Sequence, residues 1–237
     1  MSETVSAPSA RVARYARGKV VLLVVGAGLL AATAAAWVFV IRSSASMEMD
    51  MTPTAGAYLT AWTVMMAAMM LPSVAPFALL YARGAPTAIA PGILAAGYLG
   101  VWALVGIPAY ALDRAVGMEH PTATAAVLIT AGVYQLSPVK EACLRRCRSP
   151  VAFLVAHWRP GAAGAFRLGL AHGTYCVGCC WFLMALLFVG GVMNPLWIGA
   201  LALYVLAEKL APRGHLLSRA SGLLLAGWGV ATLARIV

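Results

Sequence analysis

Apolar residues in this chain come in unbroken stretches rather than in alternation or on one narrow helical stripe. At about 20 apolar residues per bilayer crossing, the stretches at 20–41, 57–80, 88–112, 121–137, 166–189, 195–210 and 221–236 predict seven membrane-spanning helices. The fourth and sixth are short, so the count is six to seven. Spanning β-strands would alternate apolar and polar residues over segments of about ten, a pattern that is absent, so a transmembrane barrel is excluded. The expected fold class is all-α: a polytopic transmembrane helical bundle.

Composition agrees with this pattern, at 62% hydrophobic and 10% charged residues with a mean hydropathy of +0.88. The net charge of +10 would suit a nucleic-acid binder if it were clustered on a soluble domain. Its placement argues otherwise. With a cytoplasmic N-terminus, all 17 Lys and Arg except Arg42, Arg114 and Arg235 fall on the inner side. That positive-inside asymmetry accounts for the charge with membrane lipid as the partner and no nucleic acid. The expected organisation is a basic cytoplasmic tail at 1–19 and a single membrane domain at 20–237 with an inner loop at 139–165. The first apolar stretch exceeds the roughly 7–15 residues of a signal-peptide core, so a retained anchor is expected. Placement in a bacterial inner membrane follows from the same pattern. No internal repeat supports an inverted-repeat transporter.

The fifth stretch carries His172, Cys176, Cys179, Cys180 and Met184 at offsets of three and four, which places them on one face of a helix. At about 1.5 Å per residue from Arg167, Cys176 lies roughly 13 Å into a core about 30 Å thick. Thiolates and thioethers favour Cu(I), with zinc and iron–sulfur as competitors for thiolate alone. Two thiolates around one Cu(I) carry a single net negative charge, and neutral Met or His ligands add none, which suits an apolar interior. Gly169 and Gly173, four apart, suit close packing against another helix.

The second stretch carries Met65, Met66, Met69 and Met70 as two i,i+4 pairs, followed by Pro72 and Pro76. Met stripes commonly fill cores. The paired prolines add a kink at which a cavity or neighbour must satisfy freed carbonyls, so a Met face opposite the Cys face is a candidate conduit for a soft metal. Met47, Met49 and Met51 alternate in an acidic loop on the outer side, where thioethers could capture Cu(I) in an oxidising compartment. On the inner side, Pro138 suits the start of a short surface helix that makes Cys143 and Cys147 i,i+4 neighbours beside basic residues that favour thiolate. All five Cys lie within or inside the membrane, which excludes an external disulfide framework. Glu208 and Lys209 close the sixth stretch. Adjacent residues diverge on a helix, so each must seek another partner, and both read first as helix-end anchors.

These strings resemble the bacterial predicted metal-binding integral membrane proteins, a family whose defining domain carries an uncharacterised-function label and whose members are sometimes labelled copper chaperones. The resemblance rests on Met65-Met66-Ala67-Ala68-Met69-Met70-Leu71-Pro72, on Tyr134-Gln135 through Lys140, Cys143, Cys147 and Pro150, on Gly169 through Cys176-Val177-Gly178-Cys179-Cys180-Trp181, and on Glu208-Lys209. It covers residues 57–210 and implies metal binding, with copper as the metal.

Three functions compete. In the first, the protein handles Cu(I) through Met and Cys ligands by capture, trafficking or transfer, with a copper donor or acceptor protein as partner. Ligand exchange needs no nucleotide or catalytic base, and no Walker A string is present, so this reading is not an enzyme. In the second, Cys176 and Cys179 form the C-x-x-C pair of a membrane thiol–disulfide oxidoreductase. In the third, the protein is a structural accessory subunit whose Cys and Met only pack. Gly-rich faces on the fifth and seventh stretches suit packing within the chain or in an oligomer.

Overall fold

In the computed structural model every element among the described residues is a helix. Those residues are 8–47, 54–85, 87–115, 121–192 and 194–235, with 8–17, 45–47 and 115 described as backbone alone. In chain order the helices are α1 (Pro8–Met47), α2 (Ala55–Ala82), α3 (Ala90–Ala115), α4 (Pro121–Gln135), α5 (Pro138–Cys147), α6 (Pro150–His157), α7 (Gly161–Ala185), α8 (Leu187–Gly190), α9 (Pro195–Leu210) and α10 (Gly214–Ala234).

Five segments are long and apolar enough to cross a membrane: Gly18–Ser44, Ala55–Ala82, Ala90–Arg114, Gly161–Gly190 and Gly214–Ala234. A sixth arises if α4 and α5, bent by 65° at their junction, count as one span. Helix length therefore supports five to six crossings, where the sequence pattern predicts seven. The difference lies in α4 and α9, at 15 and 16 residues. At about 1.5 Å per residue they rise roughly 22–24 Å, short of a core about 30 Å thick.

Local chemistry sets several helix starts. The Thr54 hydroxyl accepts from the Ala57 amide, and Ser137 from the Lys140 amide with Pro138 in the first turn. The Asn194 side chain accepts from Leu196 and Trp197 ahead of Pro195. Each side chain satisfies amide groups that a helix N-terminus leaves unpaired, and proline there loses no hydrogen bond. The bend after α4 falls where Ser137-Pro138 restarts the backbone as α5. That break turns Lys140, Cys143 and Cys147 back toward the bundle.

The core is α2, α3 and α7, with α10 along α4 and α1 along α2. Helices α3 and α7 approach backbone to backbone because glycines line their crossing. A Cβ on Gly169 would overlap the Leu94 carbonyl, one on Gly97 the Phe166 carbonyl, and one on Gly173 would sit 3.0 Å from the Tyr98 carbonyl. This is the close packing expected of Gly169 and Gly173, with α3 as the partner. The core is apolar, as in a water-soluble domain, but much of the surface is apolar too. Leu23, Leu30, Leu196, Leu203 and Leu224 are each 70% or more exposed, while Ser73, Gln135, Lys140, His172, Glu208, Lys209 and Ser218 are buried.

The α3–α7 crossing yields the first prediction. Gly169→Leu forces the helices apart and lowers stability by about 3 kcal/mol. Gly28→Ala, with open space at the new Cβ, is neutral or stabilising by up to about 1 kcal/mol. Unfolding of the two variants in detergent distinguishes these effects, and equal stability would contradict the packing account.

Candidate metal centre

Helical spacing puts Cys176, Cys179 and Cys180 on the face of α7 that the bundle buries, each 1% exposed or less. Their three sulfurs lie within 4.8 Å of one another, with Cys176 Sγ and Cys180 Sγ 3.9 Å apart. The Cys179 and Cys180 thiols donate to the Cys176 carbonyl at 3.1 and 3.0 Å, which holds both sulfurs back along the helix toward Cys176. An ion about 2.3 Å from each thiolate keeps such sulfurs roughly 4 Å apart, so the cluster needs little rearrangement to close on one.

A second helix adds sulfur to the first. Cys179 Sγ lies 3.9 Å from Cys147 Sγ on α5, and a Cβ on Gly178 would come within 2.8 Å of Cys143 Sγ. Gly178 is thus the gap that admits Cys143. The expected short helix with Cys143 and Cys147 one turn apart is present, and its sulfurs face α7. Contact with α7, rather than the basic face of α5, sets their surroundings. Arg146 on that face reaches the Tyr175 ring, 5.4 Å from its centroid. All five cysteines are free thiols.

Charged and hydroxyl side chains surround this sulfur. Lys209 Nζ donates to Cys176 Sγ at 2.9 Å and to Ser73 Oγ at 3.1 Å. The Tyr98 hydroxyl shares hydrogen bonds with Cys176 Sγ at 3.0 Å and with Ser73 Oγ at 3.2 Å. Lys140 Nζ donates to the Cys179 carbonyl at 2.8 Å and pairs with Glu208 Oε2 at 2.8 Å. Tyr204, 3.2 Å away, and Ser218 donate to the other Glu208 oxygen. Gln135 extends the network to Tyr204 and Ser221 at 3.0 and 2.8 Å. Glu208 and Lys209 do diverge to separate partners, as adjacency on a helix requires, but both partners are internal. Each residue is a buried site element rather than a helix-end anchor.

His172 lies one turn before Cys176 in an aromatic box. Its ring stacks on Phe77 at 4.3 Å between centroids, with Phe153 edge-on at 5.2 Å. Its Nδ1 is buried without a hydrogen-bond partner, and the sulfur cluster closes without it. Met65, Met66, Met69, Met70 and Met184 are all buried. The Met70 sulfur lies 3.9 Å from Ser73 Oγ, which Tyr98 and Lys209 link in turn to Cys176. Phe77 meets His172, and Ser73 meets Cys176 through Tyr98 and Lys209, so α2 and α7 run in opposite directions past each other. In that sense Met69 and Met65 follow Ser73 along α2 as Cys180 and Met184 follow Cys176 along α7. Trp62 and Met184 accordingly line one apolar pocket with Trp181 and Pro108. Met49 and Met51 lie outside the described residues, as does the side chain of Met47.

Sequence patterning had marked the sulfur but not its polar surroundings, namely Ser73, Tyr98, Lys140, Glu208 and Lys209. The available signal was Glu208, an acidic residue within the 195–210 apolar stretch, since an ionisable residue inside such a stretch is by default a functional candidate.

An all-helical bundle with helices of membrane-crossing length around a buried three-thiol cluster defines a class of helical proteins with a centre compatible with metal binding. Within that class the chain belongs to the PpoB2 family, described as copper chaperone, whose model matches residues 59–232. No curated protein matches the chain, and no solved structure does.

The Lys140–Glu208 pair is 1% exposed on each side, and removing one partner strands the other charge. Glu208→Leu alone is expected to cost about 3–5 kcal/mol of stability, and the Lys140→Met/Glu208→Leu double variant much less. A double-mutant cycle of unfolding in detergent measures this; additive losses would contradict the pairing.

Proposed function

We propose that the chain is a multi-pass protein of the bacterial inner membrane that binds Cu(I) as cargo and passes it between sulfur ligands. The observation that carries this reading is the set of three buried sulfurs within 4.8 Å, joined by Cys147 of a second helix at 3.9 Å. The family described as copper chaperone supports the choice of metal. So does charge: in an apolar interior, two thiolates with Cu(I) and the Lys209 ammonium sum to zero. Hydrated, hard cations gain nothing from a sulfur-only site.

In this reading the N-terminus is cytoplasmic and the bundle crosses seven times. Helices α4 and α9 are the short crossings, which local bilayer thinning accommodates. The outward leucines face lipid, because an apolar surface of that extent is a liability in water. Copper is captured at Met47, Met49 and Met51 and passes Met184 and the rows of Met65, Met66, Met69 and Met70. It is held by Cys176, Cys179 and Cys180. His172, one turn before Cys176, offers its unpaired Nδ1 to copper in transit and lies outside the sulfur shell that holds the ion. Cys147 and Cys143 take copper toward the inner face, where an acceptor protein receives it. Each move forms one metal–sulfur bond as another breaks, so no nucleotide and no redox change is needed.

Anaerobic loading of detergent-purified protein with Cu(I), followed by metal analysis, tests this. Near-stoichiometric copper is expected in the wild type, and its loss in the Cys176, Cys179 and Cys180 triple alanine variant. Cys147→Ser is expected to retain copper and to release it more slowly to a competing chelator. Equal copper in the wild type and the triple variant, or none in either, would overturn the assignment.

A further inference from the structure

Two lysines reach the thiol-bearing turn of α7, and they differ in charge balance. Lys140 is paired with Glu208 at 2.8 Å. Lys209 has no carboxylate within ion-pair distance among the described residues; its partners are Cys176 Sγ at 2.9 Å and Ser73 Oγ at 3.1 Å. Nor is it free to swing away. Its side chain is buried, and Ser73 is itself fixed by the Met70 carbonyl at 2.9 Å and the Tyr98 hydroxyl at 3.2 Å. The cluster therefore contains a positive charge held against one of its own ligands.

We infer that Lys209 is the valence selector of the thiol cluster, admitting a monovalent soft cation and opposing a divalent one. The inference rests on the metal-binding reading above and adds the property that separates Cu(I) from Zn(II) at the same sulfurs. Repulsion between a fixed ammonium and a bound ion scales with the ion's charge, so Zn(II) meets twice the penalty that Cu(I) meets at the same place. The sulfurs cannot make this distinction alone, because thiolate binds both metals tightly. A fixed cation a few ångströms from the ion, out of water and beyond screening by salt, can. An anchoring role at a helix end would instead leave the ammonium in the polar interface, reaching headgroups rather than sulfur.

The test compares two dissociation constants, for Cu(I) and for Zn(II), each measured by competition with chelators on anaerobic, detergent-purified full-length protein. The variants are Lys209→Met and Lys209→Gln, which remove the charge, and Lys209→Arg, which keeps it. In both neutral variants Zn(II) binding is expected to tighten at least tenfold more than Cu(I) binding. Lys209→Arg should retain the wild-type ratio of the two constants. Glutamine preserves a hydrogen bond to Ser73, so it decides the matter if the methionine variant does not fold. Equal changes for both metals in the neutral variants would overturn the inference, as would an arginine variant that behaves like the neutral ones. A wild-type protein that binds neither metal would overturn the metal-binding reading itself, and one that binds both with an unaltered ratio in every variant would overturn only the role of Lys209.

Discussion

A carboxylate and two ammonium groups buried among apolar helices constrain this structure more than any other feature. Each must find its complement inside the protein, because burial without one costs several kcal/mol per ion. Glu208 finds Lys140, and Lys140 also takes the Cys179 carbonyl, so α5, α9 and α7 are tied at one point. Lys209 finds Ser73 and Cys176, which ties α9 to α2 and again to α7. The thiol cluster sits where these two ties meet. Ser218 and Tyr204 complete the carboxylate's shell and Gln135 donates to Tyr204 behind it, which brings in α10 and α4. Three helices, α2, α5 and α9, thus meet a single stretch of α7 running from Cys176 to Cys180, with α4 and α10 linked to it through α9.

That convergence gives the sulfur cluster a fixed frame. The thiols on α7 are held by their own backbone, through the Cys176 carbonyl, while α5 brings Cys147 against Cys179. The α5 anchor is Lys140, so the buried ion pair and the approach of the α5 sulfurs are one feature seen from two sides. Glycine makes the same region possible from the opposite direction. Gly169 and Gly173 let α3 close on α7 and deliver the Tyr98 hydroxyl to Cys176, and Gly178 leaves room for Cys143. The sulfurs, the hydroxyls of Ser73 and Tyr98 and the Lys209 ammonium thus share one apolar enclosure, and on the proposed reading that cation sets the preference for a monovalent ion.

The helical class, the stripe of Cys176, Cys179 and Cys180, the short Cys143–Cys147 helix and the packing glycines were legible in the sequence because each depends on local periodicity. Crossing number was only partly legible, since the sequence marks the stretches of α4 and α9 as apolar and short without deciding whether each one crosses. The polar half of the site was hidden for a different reason. Lys140 and Lys209 stand at the edges of apolar stretches, where basic residues ordinarily mark the membrane surface. Only the 65° bend before α5 and the arrangement of α9 against α2 turn them inward. Ser73 and Tyr98 carry no sequence signal at all, because their roles arise from contacts between helices far apart in the chain.

The central claim is that the sulfurs of α7, with Lys209 beside them, form one site for Cu(I). X-ray absorption at the copper edge of the anaerobically loaded protein tests it most directly, since it reports both the oxidation state and the ligand atoms. The account predicts Cu(I) with a first shell of sulfur alone, lost when Cys176, Cys179 and Cys180 are replaced. A first shell of nitrogen or oxygen, or a sulfur shell that persists without those three cysteines, would contradict it.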